Sequence, residues 1–451
     1  MPAWLSERFV EAGEAPAIIW EGRSYSYAWL HRRAEDFREE LEARRVPGRS
    51  VVSLEGDYSP DICALLLALI DRSAIVVPLT SAVAADRDRF LGIARVRHTI
   101  RFRPGRQPEY AERPAGDDHP LLDQLAAAAE PGLVLFTSGS TGEPKAALHS
   151  FARLLEKYKT RRPSLRTLTF LLLDHIGGIN TLFHILSNTG VIVTVAERSP
   201  DEICAEIERH RVELLPTTPT FLNLLLLSEA PDRHDLSSLR QITYGTEPMP
   251  ESTLARLHAA LPGVRLSQTY GLSELGILRA RSKSSDSLWV RLGGEGVETE
   301  IRDGILWIRA ASAMLGYLNA PSPFDSEGWF NTQDEVLADG EYFRIRGRRS
   351  EIVNVGGEKV YPAEVESVLL QIPNVRDAVV LGQPNPITGQ IVVAYLNLKE
   401  PEPLDSVRRR VREGCRDLLP AFKIPARIEI VDEQQYSVRF KKNRLRRAGT
   451  E

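Results

Sequence analysis

Residues 137–145 read TSGSTGEPK and follow the apolar run GLVLF at residues 132–136. The run reads as a strand and the stretch after it as a loop rich in hydroxyls and glycines, ending in Lys145. Such a loop can wrap phosphate oxygens. Glycine lets the backbone approach closely, hydroxyls and N–H groups donate, and lysine adds a charge. It is not a Walker loop, because no Gly-Lys-Ser/Thr follows at the required spacing.

Around this loop, short apolar runs alternate with amphipathic helical segments. Residues 49–55 and 74–79 read as strands flanking a helix at 60–71. Strands at 165–173, 190–195 and 239–244 are joined to helices at 199–211 and 251–261. This alternation predicts parallel sheets covered by helices. Residues 101–119, rich in Pro, Arg and Asp, read as a surface connection. At 297–310 the pattern becomes VETEIRDGILWIRA, a hairpin turning at Asp303-Gly304. A compact α+β stretch follows the charged residues 346–350. The fold class is therefore α/β. A large N-terminal domain, residues 1–347, has parallel sheets covered by helices and a β-subdomain. A small mobile α+β domain spans residues 348–451.

The 451 residues are too many for one small core. A 43% hydrophobic and 26% charged composition with net charge −4 describes an ordinary globular chain and gives no electrostatic case for nucleic acid. No apolar run approaches the roughly 20 residues that span a bilayer. The first residues lack the layout of a signal peptide, which leads to the expectation of a cytoplasmic protein. Cys63, Cys204 and Cys415 are far apart and fit neither metal spacing nor a disulfide framework, so they read as small buried hydrophobes.

Further stretches follow in order: YGTEP at 244–248, QTYGLSE at 268–274, GWFNTQD at 328–334, and YFRIRGRRSEIVNVGGEKVYPAEVE at 342–366. With TSGSTGEPK, this series resembles the acyl-adenylate-forming superfamily of acyl-CoA synthetases, stand-alone adenylation domains and luciferase. The resemblance covers nearly the whole chain. It implies ATP-dependent activation of a small-molecule carboxylic acid to an acyl-adenylate with release of pyrophosphate. The acyl group then passes to a thiol, that of CoA or of phosphopantetheine on an acyl or peptidyl carrier protein.

The resemblance also implies roles. Thr137, Ser138, Gly139, Ser140, Thr141, Gly142 and Lys145 would hold the β- and γ-phosphates of ATP. Gly245, Thr246 and Glu247 would lie along adenine, with Tyr270 and Gly271 beside it. Ser273 would keep the hydroxyl that meets the α-phosphate, and Glu274 would be the Mg²⁺ ligand. A single carboxylate plus phosphate oxygens and waters suits magnesium. Asp334 would accept from the ribose hydroxyls and Arg348 would donate to the ribose. His175, Ile176, Gly178 and Asn180 belong to the acid pocket. His175 would stand beside the substrate carboxylate, and Ile176 would replace the aspartate that meets an amino acid's ammonium. Asp174 is expected to cap the following helix, and Gly177 and Gly178 to leave space on the pocket wall. Ser350 takes the hinge position, and Gly356 and Gly357 line the thiol tunnel.

The sequence departs from the family in four places. Gln333 stands where relatives have glycine, adding bulk beside Asp334. The segment after residue 79 is compressed. Ser350 replaces Asp or Lys at the hinge. The tail, VDEQQYSVRFKKNRLRRAG, lacks a clear Gly-Lys. An ungapped register puts Lys441 at the catalytic place, with Phe440 for glycine and Arg444 three residues on. A middle register gives Lys442. A gapped one matches Arg439 and Arg447 but puts Arg444 where the lysine belongs. Two other readings compete with the acid–thiol ligase: an adenylating enzyme with a non-thiol acceptor such as an amine or nitrite, and an inactive nucleotide-binding relative.

Overall fold

The computed structural model describes residues 1–442 except 104, 115, 139–142, 196, 433–434 and 438–439, with the backbone alone at Ser138. Gly139, Ser140, Thr141, Gly142, Arg439, Arg444 and Arg447 lie outside the described residues.

Two seven-stranded sheets carry the α/β body. In the first, Pro16–Trp20, Ile192–Thr194, Thr167–Thr169, Leu214–Thr217, Gln241–Tyr244 and Arg265–Gln268 run parallel, with Arg23–Ser26 antiparallel at one edge. The second centres on the parallel strands Val51–Glu55, Ile75–Leu79 and Gly132–Ser138. Gly132–Ser138 pairs antiparallel with Pro144–Ser150, and Thr137 faces Lys145.

The helix Pro60–Asp71 is buried almost all round. Its apolar residues share a core with the helices Tyr27–Ala43 and Ile176–Ser187, as a helix without a polar face must. A third, antiparallel sheet runs from Tyr270–Leu272 to Val297–Arg302. Its Val297–Arg302/Ile305–Ala310 hairpin turns at Asp303 and Gly304, with φ of 50° and 77°. Those positive values are the twist a two-residue hairpin turn needs.

The fourth sheet draws its strands from Val353–Val355, Glu358–Val360, Val375–Asn385, Gly389–Leu398 and Arg427–Ile430. The helices Pro362–Leu369 and Leu404–Arg416 share its core.

Several local expectations are corrected. The strand expected at 165–173 is only Thr167–Thr169. The stretch read as a surface connection contains the strand Glu109–Glu112, paired with His98–Arg101. The segment read as compressed holds a 3₁₀ turn, the helix Arg87–Ile93 and the strand His98–Arg101, a short but complete βα unit. Cys63, Cys204 and Cys415 are buried and free. Among the described residues, no helix is long and apolar enough to cross a membrane.

Candidate active site

A cavity of about 670 Å³ opens between the first and third sheets and the tail. One wall is the helix Ile176–Ser187. Gly177, Asn180, Thr181 and His184 line the cavity from this helix, a three-to-four-residue spacing that puts them on one face. Ile176, Ile179, Leu182, Phe183 and Leu186 pack into the core from the other.

The N-cap of this helix is His175, not Asp174. His175 Nδ1 accepts the Gly177 N–H at 3.2 Å. Asp174 instead accepts a hydrogen bond from Thr80 Oγ1 at 2.7 Å. His175 Nε2 faces Lys441 Nζ at 3.1 Å. The Lys441 ammonium thus meets the His175 ring within hydrogen-bond distance at the cavity wall, where an anion such as a carboxylate could join it.

Lys441 reaches this place through Phe440. Phe440 has φ of 51°, a left-handed conformation unusual for a bulky residue. Its ring packs edge-on against Phe170 and Phe221 and stacks near Tyr436, and its carbonyl accepts from Thr218 Oγ1 at 2.7 Å. These contacts support a conformation that glycine adopts without strain. Nothing in the tail's local sequence announced this aromatic clamp. The phenylalanines that make it are more than 200 positions away.

Lys442 points elsewhere. Its Nζ donates to Glu366 Oε2 at 3.1 Å and to the Ala378 carbonyl at 2.7 Å, and its N–H donates to Glu247 Oε2 at 3.2 Å. Both Lys442 and Glu366 are buried. The structure therefore brings Lys441 to His175 and places Lys442 in an interior ion pair. Glu247, expected along adenine, also accepts the Thr220 N–H at 2.8 Å, and burial pushes its carboxyl above the usual range. Its carboxylate holds the tail and the helix Pro219–Leu227. Gly245 and Thr246 do line the cavity. A side chain on Gly245 would run into Thr269, with a Cβ only 2.3 Å from Oγ1, so this strand end must be glycine.

On the phosphate side, Lys145 Nζ lies 5.3 Å from the centre of the Tyr317 ring. Tyr317 donates to Glu274 Oε1 at 2.6 Å. The buried His149 Nε2 bonds the Ser273 carbonyl at 2.6 Å. Desolvation holds this imidazole down to about 4, so it is neutral and donates. Gly271 packs on the neighbouring strand, where a Cβ would fall 2.6 Å from the Gly276 carbonyl. Among the described residues no cluster of three or more His, Cys, Asp or Glu side chains could hold a metal by itself. A lone Glu274 fits a magnesium ion that arrives on phosphate oxygens.

Asp334 is buried, and burial raises its carboxyl above the usual range while Arg348 and Tyr270 oppose the shift. Tyr270 donates to Asp334 Oδ2 at 2.6 Å, and Arg348 Nε lies 3.5 Å from Oδ1. Gln333 takes φ of 61° with its side chain exposed, so it adds no bulk beside Asp334.

Other expected pocket residues fall differently. Ile176 is in the core and does not line the cavity. Gly178 is glycine because a Cβ there would sit 2.0 Å from the Leu172 carbonyl oxygen, not to widen the pocket. Gly177 does line the cavity. Asn180 Oδ1 accepts from Lys157 Nζ and from Tyr158 OH, each at 2.7 Å. Ser350 sits exposed in the 3₁₀ turn Arg349–Glu351, between the third and fourth sheets. Gly356 and Gly357, with φ of 60° and 91°, make the turn between Val353–Val355 and Glu358–Val360.

Comparison with known proteins identifies the family. Residues 5–318 match the family model described as AMP-binding enzyme, and residues 364–441 match its C-terminal domain. The chain is 28% identical to indoleacetate–CoA ligase of Aromatoleum aromaticum, over 92% of this chain and 91% of that one. The fold is similar to that of o-succinylbenzoate CoA synthetase from Bacillus subtilis, solved with its acyl-adenylate intermediate. That match has a TM-score of 0.79 and 23% identity, and covers 100% of this chain and 98% of that one. It is also similar to an amide bond synthetase from Marinactinospora thermotolerans, with a TM-score of 0.77, 24% identity and 99% of both chains covered. With both family models matched in order and the tail lysine returned to the cavity wall, the chain belongs to the AMP-binding enzymes.

Proposed function

We propose that this AMP-binding enzyme activates a small-molecule carboxylic acid with ATP, forming an acyl-adenylate and pyrophosphate, and transfers the acyl group to the thiol of CoA. The observation that carries this reading is the contact of Lys441 Nζ with His175 Nε2, 3.1 Å apart on the wall of a cavity also lined by Gly245 and Thr246. Adenylation brings a carboxylate to an anionic α-phosphate. Donors fixed in advance at that meeting point lower the barrier, because they need not reorganise as charge develops.

In this reading His175 orients the carboxylate and Lys441 neutralises charge shared between it and the α-phosphate. Asp334 and Arg348 hold the ribose. The structure has Tyr270 and Arg348 on the Asp334 oxygens, so nucleotide binding exchanges at least one of these contacts for a ribose hydroxyl. Lys145 and the Ser/Gly-rich stretch before it hold the outer phosphates. Glu274 would hold a magnesium ion that offsets phosphate charge. The region from residue 348 onward acts as the mobile lid, with Ser350 at its pivot and Gly356-Gly357 turning toward the thiol in the second conformation.

The test is pyrophosphate release from the full chain with a panel of acids, followed by addition of CoA, a phosphopantetheinylated carrier, or an amine. Release dependent on one acid, with thioester formed on CoA, supports the reading. Release without thioester, but with amide on adding an amine, replaces the acceptor. No release with any acid overturns the reading.

A further inference from the structure

The cavity extends well past the carboxylate end. His175 marks the start of the helix Ile176–Ser187, and His184 faces the cavity nine residues later. At 1.5 Å per residue that is about 13 Å along the axis. Toward that end Lys157 donates to Asn180 Oδ1 and to the Ile277 carbonyl, both at 2.7 Å, and Tyr158 shares the same Asn180 oxygen. Arg162 and Arg279 line the same cavity and are exposed, so they sit where it meets solvent.

Among the described residues these cations have no counter-ion. Among the described residues that line the cavity, none is Asp or Glu, and Lys157, Arg162 and Arg279 make no ion pair. They also repel one another. Burial, with Arg162 adding to it, pushes the Lys157 ammonium down to about 7. Burial, then Arg162 and Lys157, lower His184. Burial, then Arg279, lower Arg162. A cluster of like charges in a partly desolvated space is costly unless an anion joins it. In the adenylation reading the activated carboxylate is not that anion, because His175 and Lys441 would hold it near the other end of the helix. Phe170, Leu171, Ile277 and Leu278 add apolar wall to the cavity.

We infer that the acid substrate is a diacid, with a hydrophobic body and a second carboxylate bound by Lys157, Arg162 and Arg279. The inference rests on the adenylation reading for which group is activated, but the second site can be tested without it.

The probes are suberate and a biphenyl dicarboxylate, each against its monomethyl ester, which keeps the size and one reactive carboxyl. With the full chain, the diacid should show roughly tenfold higher kcat/KM for pyrophosphate release, mainly through KM, as expected for one added charge-assisted contact. Arg279→Ala, at an exposed position, and Lys157→Met should each bring diacid and half-ester close to equality. The preference should weaken between about pH 6 and pH 8, as Lys157 loses its proton. A half-ester used as well as the diacid overturns the inference even if adenylation is intact. Calorimetric titration without ATP separates the two readings. If no acid releases pyrophosphate, tighter binding of the diacid, erased by Arg279→Ala, keeps the second site and fails the activation reading. Equal binding of diacid and half-ester fails the second site whatever the catalytic result.

Discussion

Lys441 Nζ and His175 Nε2 stand 3.1 Å apart although 266 positions separate them in the chain. The cap on the helix Ile176–Ser187 orients the imidazole, and the left-handed turn at Phe440 delivers the ammonium to it. Lys441→Ala should therefore reduce pyrophosphate release by about 10²–10³, the usual cost of one lost transition-state contact. Supplied with preformed acyl-adenylate, the same variant should still make thioester. Lys442→Ala should behave differently. It deprives the buried Glu366 of a cation, a change that typically costs about 3–5 kcal/mol of stability. Thermal denaturation together with adenylation kinetics distinguishes the two lysines. Full adenylation by Lys441→Ala, with loss in a folded Lys442→Ala, would reverse their roles.

Asp334→Ala removes the proposed ribose acceptor. Two charge-assisted contacts at roughly 1.5–3 kcal/mol each would weaken nucleotide binding at least about tenfold. Tyr270→Phe is the milder probe, because it frees Asp334 Oδ2 while leaving the carboxylate in place. Nucleotide calorimetry should show a large loss for the first and a small change for the second. An unchanged affinity in a folded Asp334→Ala protein would remove Asp334 from the site.

Glu274→Gln should raise the magnesium concentration needed for half-maximal pyrophosphate release, with little effect on melting temperature. The Tyr317 hydroxyl still has an acceptor in the amide oxygen, so the local hydrogen bond survives. A magnesium dependence identical to that of the unmodified protein would overturn the assignment.

His149 gives a prediction about pH. Its imidazole is held down to about 4 by burial, against about 6.5 when unfolded. The unfolded chain binds the extra proton first. The neutral buried form therefore contributes fully above about 6.5, and the contribution is lost as pH falls through about 4. That interval amounts to about 3 kcal/mol. His149→Gln should flatten this acid limb in denaturant titrations between those pH values. It should leave adenylation nearly unchanged, because the glutamine amide can still donate to the Ser273 carbonyl. An unchanged acid limb would mean that His149 is not the group responsible.

The ordered motifs were legible in the sequence because each is local. Nine consecutive residues spell the hydroxyl- and glycine-rich stretch that ends in Lys145. The same holds for the turn at Asp303-Gly304, where two adjacent residues carry the whole signal. The alternation of apolar runs marked the parallel sheets for a similar reason, since each strand and helix is patterned within its own length. The short strand Thr167–Thr169 was overestimated because apolar residues past its end belong to the turn leading to His175.

Where side chains point was decided elsewhere. Ile176 follows His175 directly, yet the helix turns one into the core and leaves the other on the cavity wall. Gln333 and Phe440 replace expected glycines, and both keep positive φ, one with its side chain in solvent and one under three aromatic rings. The sequence by itself narrowed the proposed catalytic lysine to a few adjacent positions of the tail. It could not separate Lys441 from Lys442, because both registers satisfy the same local pattern. Tertiary structure separated them. The aromatic clamp on Phe440 sets the backbone so that consecutive side chains diverge, one toward His175 and one toward Glu366, and the residues that form the clamp and the two destinations come from distant parts of the chain.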